Sequence, residues 1–329
     1  MRILHYIHCI ERGGAQQYIA NLVDKLNEYD HSVLTSRKIS KSQIDESIIH
    51  NLGSFDPRLI SDFTVKWAPD IFFYHWFPNE QEPLGRGLLE GVPIKRYVVL
   101  HKADYLVPIE TGFKYICVSK FIFRFHNHIK GCKKEIIRSG IDTKKFRVDR
   151  VKNDTLQLLK LGRSSFERFD FELFQVLHSI AGLSWRLKLV QSGTEMDRYI
   201  RRWLRRLGLE AKVSIVSDCT DALRFFANAD VFVDWNAPFF LEAWGFSISE
   251  SLSCGVPVIS RGRGAVSEQV KHGFNGWIFD DPDDFRECLV HIINGEISLN
   301  RYRDNAMQFA KTQLDESEML DKYRALIRE

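Results

Sequence analysis

Short apolar runs alternate with amphipathic segments twice along this chain, and this repeated alternation limits the possible folds more than any other feature of the sequence. In the first half, the strand-like runs are residues 2–9, 31–36, 70–77, 97–101, 114–119 and 135–139. Apolar side chains between Ala15 and Leu26 recur with the period of a helix, and helical patterns separate several other runs. Strands that alternate with helices predict a parallel sheet covered by helices.

The same alternation starts again in the second half of the 329 residues. The strand-like runs there are residues 156–162, 185–193, 212–217, 230–235, 257–261 and 276–279. A charged segment with few apolar side chains, 147–154, lies between the two sets and is typical of a domain boundary. We therefore predict an α/β fold of two Rossmann-like parallel-sheet domains, 1–149 and 150–312, that face a central cleft. A final amphipathic helix within 313–329 is expected to pack back on the first domain.

Charge and cysteine content exclude several classes of protein. The net charge of +3 is too close to neutral to predict binding to nucleic acid. None of the six cysteines forms a CxxC pair, so we expect reduced cysteines and no zinc site. No run reaches the roughly 18 apolar residues of a membrane-spanning helix, and the first residues do not resemble a secretory signal. We expect a cytoplasmic protein, with peripheral contact at the inner membrane face left open.

Two adjacent glycines, Gly13 and Gly14, separate the first strand from the first helix. Glycine allows a ligand to approach the backbone closely, and a helix N-terminus offers unpaired N–H groups to a phosphate. One interpretation is a cleft loop that contacts the acceptor or the donor phosphate. The alternative is a tight turn that only requires a positive φ angle.

The segment 239–259 contains more information than any other. Glu242 and Glu250 stand eight positions apart, with Gly245 between them. We expect a helix to begin near residues 247–249 with a serine N-cap, which places Glu250 in its first turn and Glu242 on the preceding loop. Gly255, followed by a proline two residues later, is expected to end this helix.

Two carboxylates on either side of a helix N-terminus suit a ligand that joins a sugar, a diphosphate and a ribose. Carboxylates accept hydrogen bonds from sugar hydroxyls, whereas a diphosphate is bound by helix N-termini and arginines. One glutamate can therefore hold the sugar and the other the ribose, with the phosphates between them. The alternative is that Glu250 is an ordinary acid near a helix N-terminus and Glu242 a surface residue.

This segment resembles the Glu-x(7)-Glu signature of the retaining glycosyltransferases of family 4, which have the GT-B fold. The resemblance extends over nearly the whole chain. Its other motifs are Gly13-Gly14-Ala15, PDIFFYH (69–75), VVLHKAD (98–104), ICVSKFIFRF (116–125), IRSGIDTKKF (137–146), LGRSSFER (161–168) and GFNGWIF (273–279). The resemblance implies transfer of a sugar from a nucleotide diphosphate sugar to an acceptor with retention of configuration, the donor being bound mainly by the second domain.

The resemblance also implies roles for the acids and for the backbone between them. Glu242 would contact the transferred sugar and face the reacting carbon, and Glu250 would bind the ribose hydroxyls. The backbone of Gly245, Phe246 and Ser247 would hold sugar hydroxyls.

Three basic or titratable residues complete the implied site. Arg163 and Arg168 would neutralise the diphosphate, and His101 would lie near the sugar at the reacting centre. The family usually has lysine where this chain has Arg168, which keeps the charge but changes its geometry. His75, at the end of the preceding strand-like run, is a weaker candidate.

We expect neither a metal nor a cofactor, because no Asp-x-Asp motif follows a strand; Asp281 and Asp283 flank Pro282 in a turn. Two arginines and a helix N-terminus can stabilise the departing diphosphate in place of a metal. The expected partners are the nucleotide-sugar donor and a glycan or lipid-linked acceptor. The segment 120–134 mixes phenylalanines with lysines and is either a helix at an anionic membrane surface or a packed helix with a solvated basic side.

Two other functions remain open at this point. One is a different enzyme on the same fold, either a nucleotide-sugar epimerase or a phosphorylase, although a phosphorylase would need a cofactor lysine and usually a longer chain. The other is a non-catalytic protein that binds nucleotide sugars.

Overall fold

The computed structural model describes residues 1–11, 13–37, 42–76, 88–103, 106–109, 112–163, 165–219, 221 and 223–329. The chain forms two compact units. The first comprises Met1–Gly140, Leu241–Trp244 and Glu316–Glu329, and the second comprises Ile141–Phe240 and Gly245–Asp315. The units thus divide after Gly140 rather than at the predicted 149/150 boundary, and a four-residue segment from the middle of the second half groups with the first unit.

The first unit contains a seven-stranded parallel sheet. Its strands are β1 (Arg2–Tyr6), β2 (Asp30–Thr35), β3 (Ile49–Asn51), β4 (Ile71–Trp76), β5 (Lys95–Leu100), β6 (Lys114–Cys117) and β7 (Lys134–Ile136). Their order across the sheet is β3-β2-β1-β4-β5-β6-β7. Every strand-like run of the first half contains one of these strands, whereas the short β3 was not predicted.

The second unit contains a six-stranded parallel sheet. Its strands are β8 (Leu156–Gly162), β9 (Trp185–Gln191), β10 (Val213–Ser217), β11 (Val231–Asp234), β12 (Val258–Ser260) and β13 (Gly276–Ile278). Their order is β10-β9-β8-β11-β12-β13, so the connections reverse direction between β8 and β11. Such a reversal is where α/β sheets bind ligands, at the carboxyl ends of the strands.

Helices connect the strands in both units, as the alternation predicts. They are α1 (Gly14–Lys25), α2 (Pro57–Trp67), α3 (Lys120–Phe125), α4 (Glu172–Ser179), α5 (Asp197–Leu207), α6 (Leu223–Phe226), α7 (Phe246–Ser253), α8 (Val266–Gln269), α9 (Pro282–Ile293), α10 (Leu299–Phe309) and α11 (Ser317–Arg328). A 3₁₀ turn precedes β3 and a π-helical turn follows α10. No helix in the described part of the chain is long and apolar enough to cross a membrane.

The sheets are buried as parallel sheets require. All six residues of β4 are buried, which is the pattern of a parallel strand that is covered on both faces. The last helix, α11, belongs to the first unit, where the hydroxyls of Tyr18 and Tyr323 lie 2.7 Å apart. In the second unit, the rings of Trp235 and Phe285 stack 4.6 Å apart between β11 and α9. All six cysteines are free thiols.

Candidate functional site

A pocket with about 290 Å³ of empty volume lies at the carboxyl ends of β8 and β9 in the second unit. Its polar side chains are those of Lys160, Arg163, Arg168, Gln191 and Asn236, and Gly162 also lines it. The pocket therefore lies beside the reversal of strand order between β8 and β11. Three of its polar side chains are cationic, and this charge suits an anionic ligand.

Gly162 ends β8 with a φ angle of +153°, which favours glycine over residues with a side chain. A Cβ atom at this position would lie 3.7 Å from Cζ of Arg168. The absence of a side chain at Gly162 thus leaves space for the Arg168 guanidinium group beside the backbone at the end of β8.

Arg168 is held on two sides within the second unit. Its Nη2 lies 3.7 Å from Oδ1 of Asp234, and its Cζ lies 5.1 Å from the centre of the Phe240 ring. Asp234 is itself buried and accepts hydrogen bonds from Asn236 at 2.8 Å and Ser260 at 3.1 Å. The side chain of Arg168 remains 20% exposed, so a fixed cation reaches the pocket. Arg163, also in the lining, is exposed.

Three polar residues of this pocket, Lys160, Gln191 and Asn236, were not among the predicted site residues. Lys160 donates hydrogen bonds of 3.0 Å to the carbonyl of Trp235 and to Oδ1 of Asn236. Gln191 donates to Asp197 at 3.1 Å, while its buried Oε1 has no hydrogen-bond partner among the described residues. The signal for Lys160 was present in the sequence, since it is a lysine within the apolar strand LQLLKLG.

The helix between the two predicted acids differs from the prediction at its start. It begins at Phe246, with Gly245 as N-cap, and not at a serine N-cap near residues 247–249. Glu250 is consequently in the second turn, and the expectation that it occupies the first turn was wrong. The end is as predicted: Gly255 follows the C-cap with a φ angle of +69°.

Gln269 of α8 explains this early start. Its fully buried amide accepts a hydrogen bond from the Gly245 N–H at 3.0 Å and donates to the Gly245 carbonyl at 2.8 Å. It also donates to Oγ of Ser249 at 2.7 Å. The Gly245 amide is therefore engaged within the protein, and Phe246 and Ser247 have the first amides of the helix. No side chain among the described residues caps them.

The two acids lie in different units. Glu250 is partly buried on α7, and burial raises the pKa of its carboxyl to about 7, against a smaller lowering by Lys145. Glu242 is 9% exposed and belongs to Leu241–Trp244, which groups with the first unit although the prediction placed it in the second. The neighbouring residues Leu241, Ala243 and Trp244 are apolar and mostly buried. Packing of these side chains explains why the segment belongs to the first unit.

His101 directly follows β5 in the first unit. Its Nε2 lies 3.0 Å from Nδ1 of His75, and the Tyr18 ring packs edge-on at 5.0 Å. Desolvation lowers the pKa of His101 to about 3, so the imidazole is neutral at physiological pH. The stronger and the weaker histidine candidates are thus direct neighbours.

Gly13 and Gly14 lie at the start of α1 in the first unit. Gly13 has extended backbone angles, φ −176° and ψ 169°, and Gly14 is the first helical residue. Neither has a positive φ angle, so the interpretation of a turn that requires one was wrong. No side chain among the described residues caps the helix, which fits the interpretation as an anion-accessible N-terminus.

The basic segment 120–134 forms a shorter helix than a membrane-surface helix needs, since α3 ends at Phe125. Lys134 donates to the carbonyls of Phe123 at 3.0 Å and His126 at 2.8 Å, and Lys133 pairs with Glu329 at 3.4 Å. These bonds favour the packed-helix interpretation, and membrane contact stays a prediction. Two motif residues, Asp104 and Ser164, lie outside the described residues.

The family model for glycosyl transferases group 1 matches residues 142–309, which is more than half of the chain. The chain belongs to the glycosyl transferases group 1. An uncharacterized glycosyltransferase of Methanocaldococcus jannaschii is 22% identical to this group 1 glycosyltransferase over 332 residues, covering 91% of this chain and 90% of the relative.

Solved structures share the fold of this group 1 glycosyltransferase over its whole length. A glycosyltransferase from Rickettsia africae ESF-5 matches with a TM-score of 0.81 at 14% identity, covering 99% of this chain and 97% of the other. HepE of Anabaena, solved in complex with UDP, matches with a TM-score of 0.80 at 15% identity, covering 100% of both chains. The GT-B fold expected from the sequence is thereby confirmed, and the enzyme is a glycosyltransferase.

Proposed function

We propose that this enzyme transfers the sugar of a nucleotide diphosphate sugar to a glycan or lipid-linked acceptor, with retention of configuration and without a metal ion. The observation that carries the proposal is the cationic pocket at the end of β8, where Asp234 fixes Arg168 beside Gly162. HepE, which has the same fold, binds UDP, and this supports a uridine-linked donor.

The leaving group explains why the pocket needs fixed cations. As the bond between sugar and phosphate breaks, negative charge grows on the departing diphosphate, and groups already aimed at it stabilise the transition state. Arg168 and Arg163 supply this charge from the pocket. The amides of Phe246 and Ser247, at the start of α7, offer further donors to an anion or a sugar hydroxyl.

The remaining site residues are assigned to the sugars. We assign the Glu242 carboxylate to the transferred sugar and the Glu250 carboxylate to the ribose hydroxyls, with His101 beside the reacting sugar. Gly13 and Gly14 would contribute the exposed start of α1 to the acceptor side.

Retention needs no protein nucleophile when the leaving phosphate acts as the base. The bond from the anomeric carbon to the phosphate oxygen breaks, and the acceptor oxygen bonds to that carbon on the same face. The acceptor proton passes to the departing phosphate oxygen. The protein's part is to hold both reactants and to stabilise the charge that develops on each side of the breaking bond.

The proposal is tested by a screen of uridine-, guanosine- and adenosine-linked sugars in EDTA, with the configuration of the product read by proton NMR. We expect turnover without added metal and a product with the anomeric configuration of the donor. Turnover that requires a divalent metal, or a product of inverted configuration, would contradict the proposal. Donor binding with no turnover on any acceptor or on water would favour the non-catalytic alternative.

The affinity for the donor is expected to rise with pH because of Glu250. Its pKa of about 7 keeps the carboxyl partly protonated near neutrality, and the ionised form, with two charged oxygens that accept, binds the two ribose hydroxyls more strongly than the protonated form. Affinity for the nucleotide sugar should therefore increase up to about tenfold between roughly pH 6 and pH 8. The measurement is calorimetry with the intact nucleotide sugar, whose esterified phosphates do not titrate in this range.

Glu250→Gln is expected to bind weakly at every pH in this range and to lose the pH dependence. Glu287→Gln, an exposed acid of α9, is the matched control and should retain the wild-type profile. A pH dependence that survives in Glu250→Gln would show that another group is responsible.

A further inference from the structure

Four histidines form a continuous hydrogen-bonded row across four neighbouring strands of the first sheet. His31 of β2 lies 3.1 Å from His5 of β1, His5 lies 3.0 Å from His75 of β4, and His75 lies 3.0 Å from His101 after β5. Each pair of neighbouring rings has centroids 5.3 Å apart. Each of the two interior imidazoles uses both of its nitrogens for these bonds.

The row follows from the strand register. His31 pairs across the sheet with Ile3, two residues before His5. In the same way, His5 pairs with Phe73, two residues before His75, and His75 pairs with Val99, two residues before His101. Because residues two apart share a face of a sheet, all four rings lie on one face and step diagonally toward its carboxyl edge. The row begins at buried side chains and ends at His101, which is only partly buried.

The buried end of the row fixes the direction of every hydrogen bond. His31 Nε2 lies 3.0 Å from the carbonyl oxygen of Leu26, which can only accept, so His31 carries its proton on Nε2. His31 Nδ1 must then accept from Nε2 of His5, whose Nδ1 in turn accepts from His75.

The last hydrogen bond of the row determines which nitrogen of His101 carries the proton. His75 Nδ1 accepts a hydrogen bond from Nε2 of His101. His101 therefore carries its proton on Nε2, and the Nδ1 atom of His101 has a lone pair. These bond directions hold for neutral rings with one N–H each. Burial lowers the pKa of all four histidines, and neighbouring imidazoles lower those of His5 and His75 further.

We propose that His31, His5 and His75 are positioning residues that hold His101 as its Nε2–H tautomer, so that His101 Nδ1 accepts a hydrogen bond from a hydroxyl group of the bound sugar. The identity of this ligand rests on the proposed function. Tyr18 supports the geometry, because its ring packs edge-on against His101 and its hydroxyl is bonded to Tyr323. The site therefore selects a sugar with a hydroxyl donor at this position.

The tautomer is measured on the free protein by two-bond ¹H–¹⁵N correlation NMR with ¹⁵N-labelled histidine near pH 8. The His101 signals are identified by their loss in His101→Gln. We expect His101 to show a protonated Nε2 and a bare Nδ1, and a proton on Nδ1 would overturn the proposal. The tautomer is measured without any ligand, so this result is independent of the proposed function. A protein that binds no nucleotide sugar would contradict the proposed function but would leave the tautomer result unchanged.

His5→Phe interrupts the row while it retains an aromatic ring beside Phe73. We expect His101 in this variant to lose its single tautomer and show both forms, with binding of UDP unchanged. His50→Phe, at an exposed position of β3, is the matched control and should leave the His101 spectrum as in the wild type. A single unchanged His101 tautomer in folded His5→Phe would overturn the positioning role. If this variant does not fold, the wild-type spectrum still tests whether His101 carries its proton on Nε2.

Discussion

Replacing Glu242 with glutamine is expected to lower kcat by about 10³-fold while the affinity for the nucleotide-sugar donor changes little. The anomeric carbon gains positive charge as its bond to the phosphate breaks, in the manner of an oxocarbenium ion. A carboxylate stabilises this charge and an amide of the same shape does not. Glu242 is 9% exposed, so solvent screens its charge only weakly. The measurement is steady-state turnover together with calorimetry of donor binding.

Glu46→Gln is the matched control for this variant, because Glu46 is an exposed acid of the same unit. It should retain wild-type turnover. Turnover of Glu242→Gln close to that of the wild type would remove Glu242 from the reaction. A large loss of donor affinity at unchanged kcat would instead assign it to ground-state binding.

Arg168→Met is expected to weaken donor binding by roughly 30- to 150-fold, which is about 2–3 kcal/mol for hydrogen bonds to a charged group. The variant retains an unbranched apolar side chain in place of the aliphatic part of arginine but removes the cation that Asp234 fixes beside the pocket. Calorimetry with UDP in EDTA measures the loss. Arg168→Lys should retain most of the affinity because the charge survives.

Loss of Arg168 also leaves the buried Asp234 with fewer partners, so thermal unfolding must accompany the binding measurement. Arg224→Met, which removes an exposed arginine of α6 in the same unit, is the matched control and should bind UDP as the wild type does. Equal affinity of wild type and folded Arg168→Met would exclude this side chain from the phosphate site.

The sheets were predictable from the sequence because strands buried on both faces appear as apolar runs. Both strand sets were found, from β1 to β13, with the single exception of β3. Its three residues, Ile49–Asn51, are only partly buried or exposed and have no apolar run to distinguish them. The division into units was less predictable, because Leu241–Trp244 joins the first unit through tertiary packing that no local pattern records.

The site was only partly predictable, for a related reason. Gly162, Arg163 and Arg168 lie within one short motif, and the structure places all three in one pocket. Gln269 engages Gly245 from 24 positions away, so the start of α7 could not be read from the local sequence. The histidine row depends on strand order and register, which bring residues 5, 31, 75 and 101 together only after the sheet has formed.

A crystal structure of the protein with UDP, grown in EDTA, would test the proposed donor site directly. We expect the diphosphate in the pocket at the end of β8, within hydrogen-bonding distance of the Arg168 guanidinium group, and the ribose hydroxyls on the Glu250 carboxylate. A complex in which the diphosphate binds elsewhere while this pocket contains only solvent would contradict this expectation.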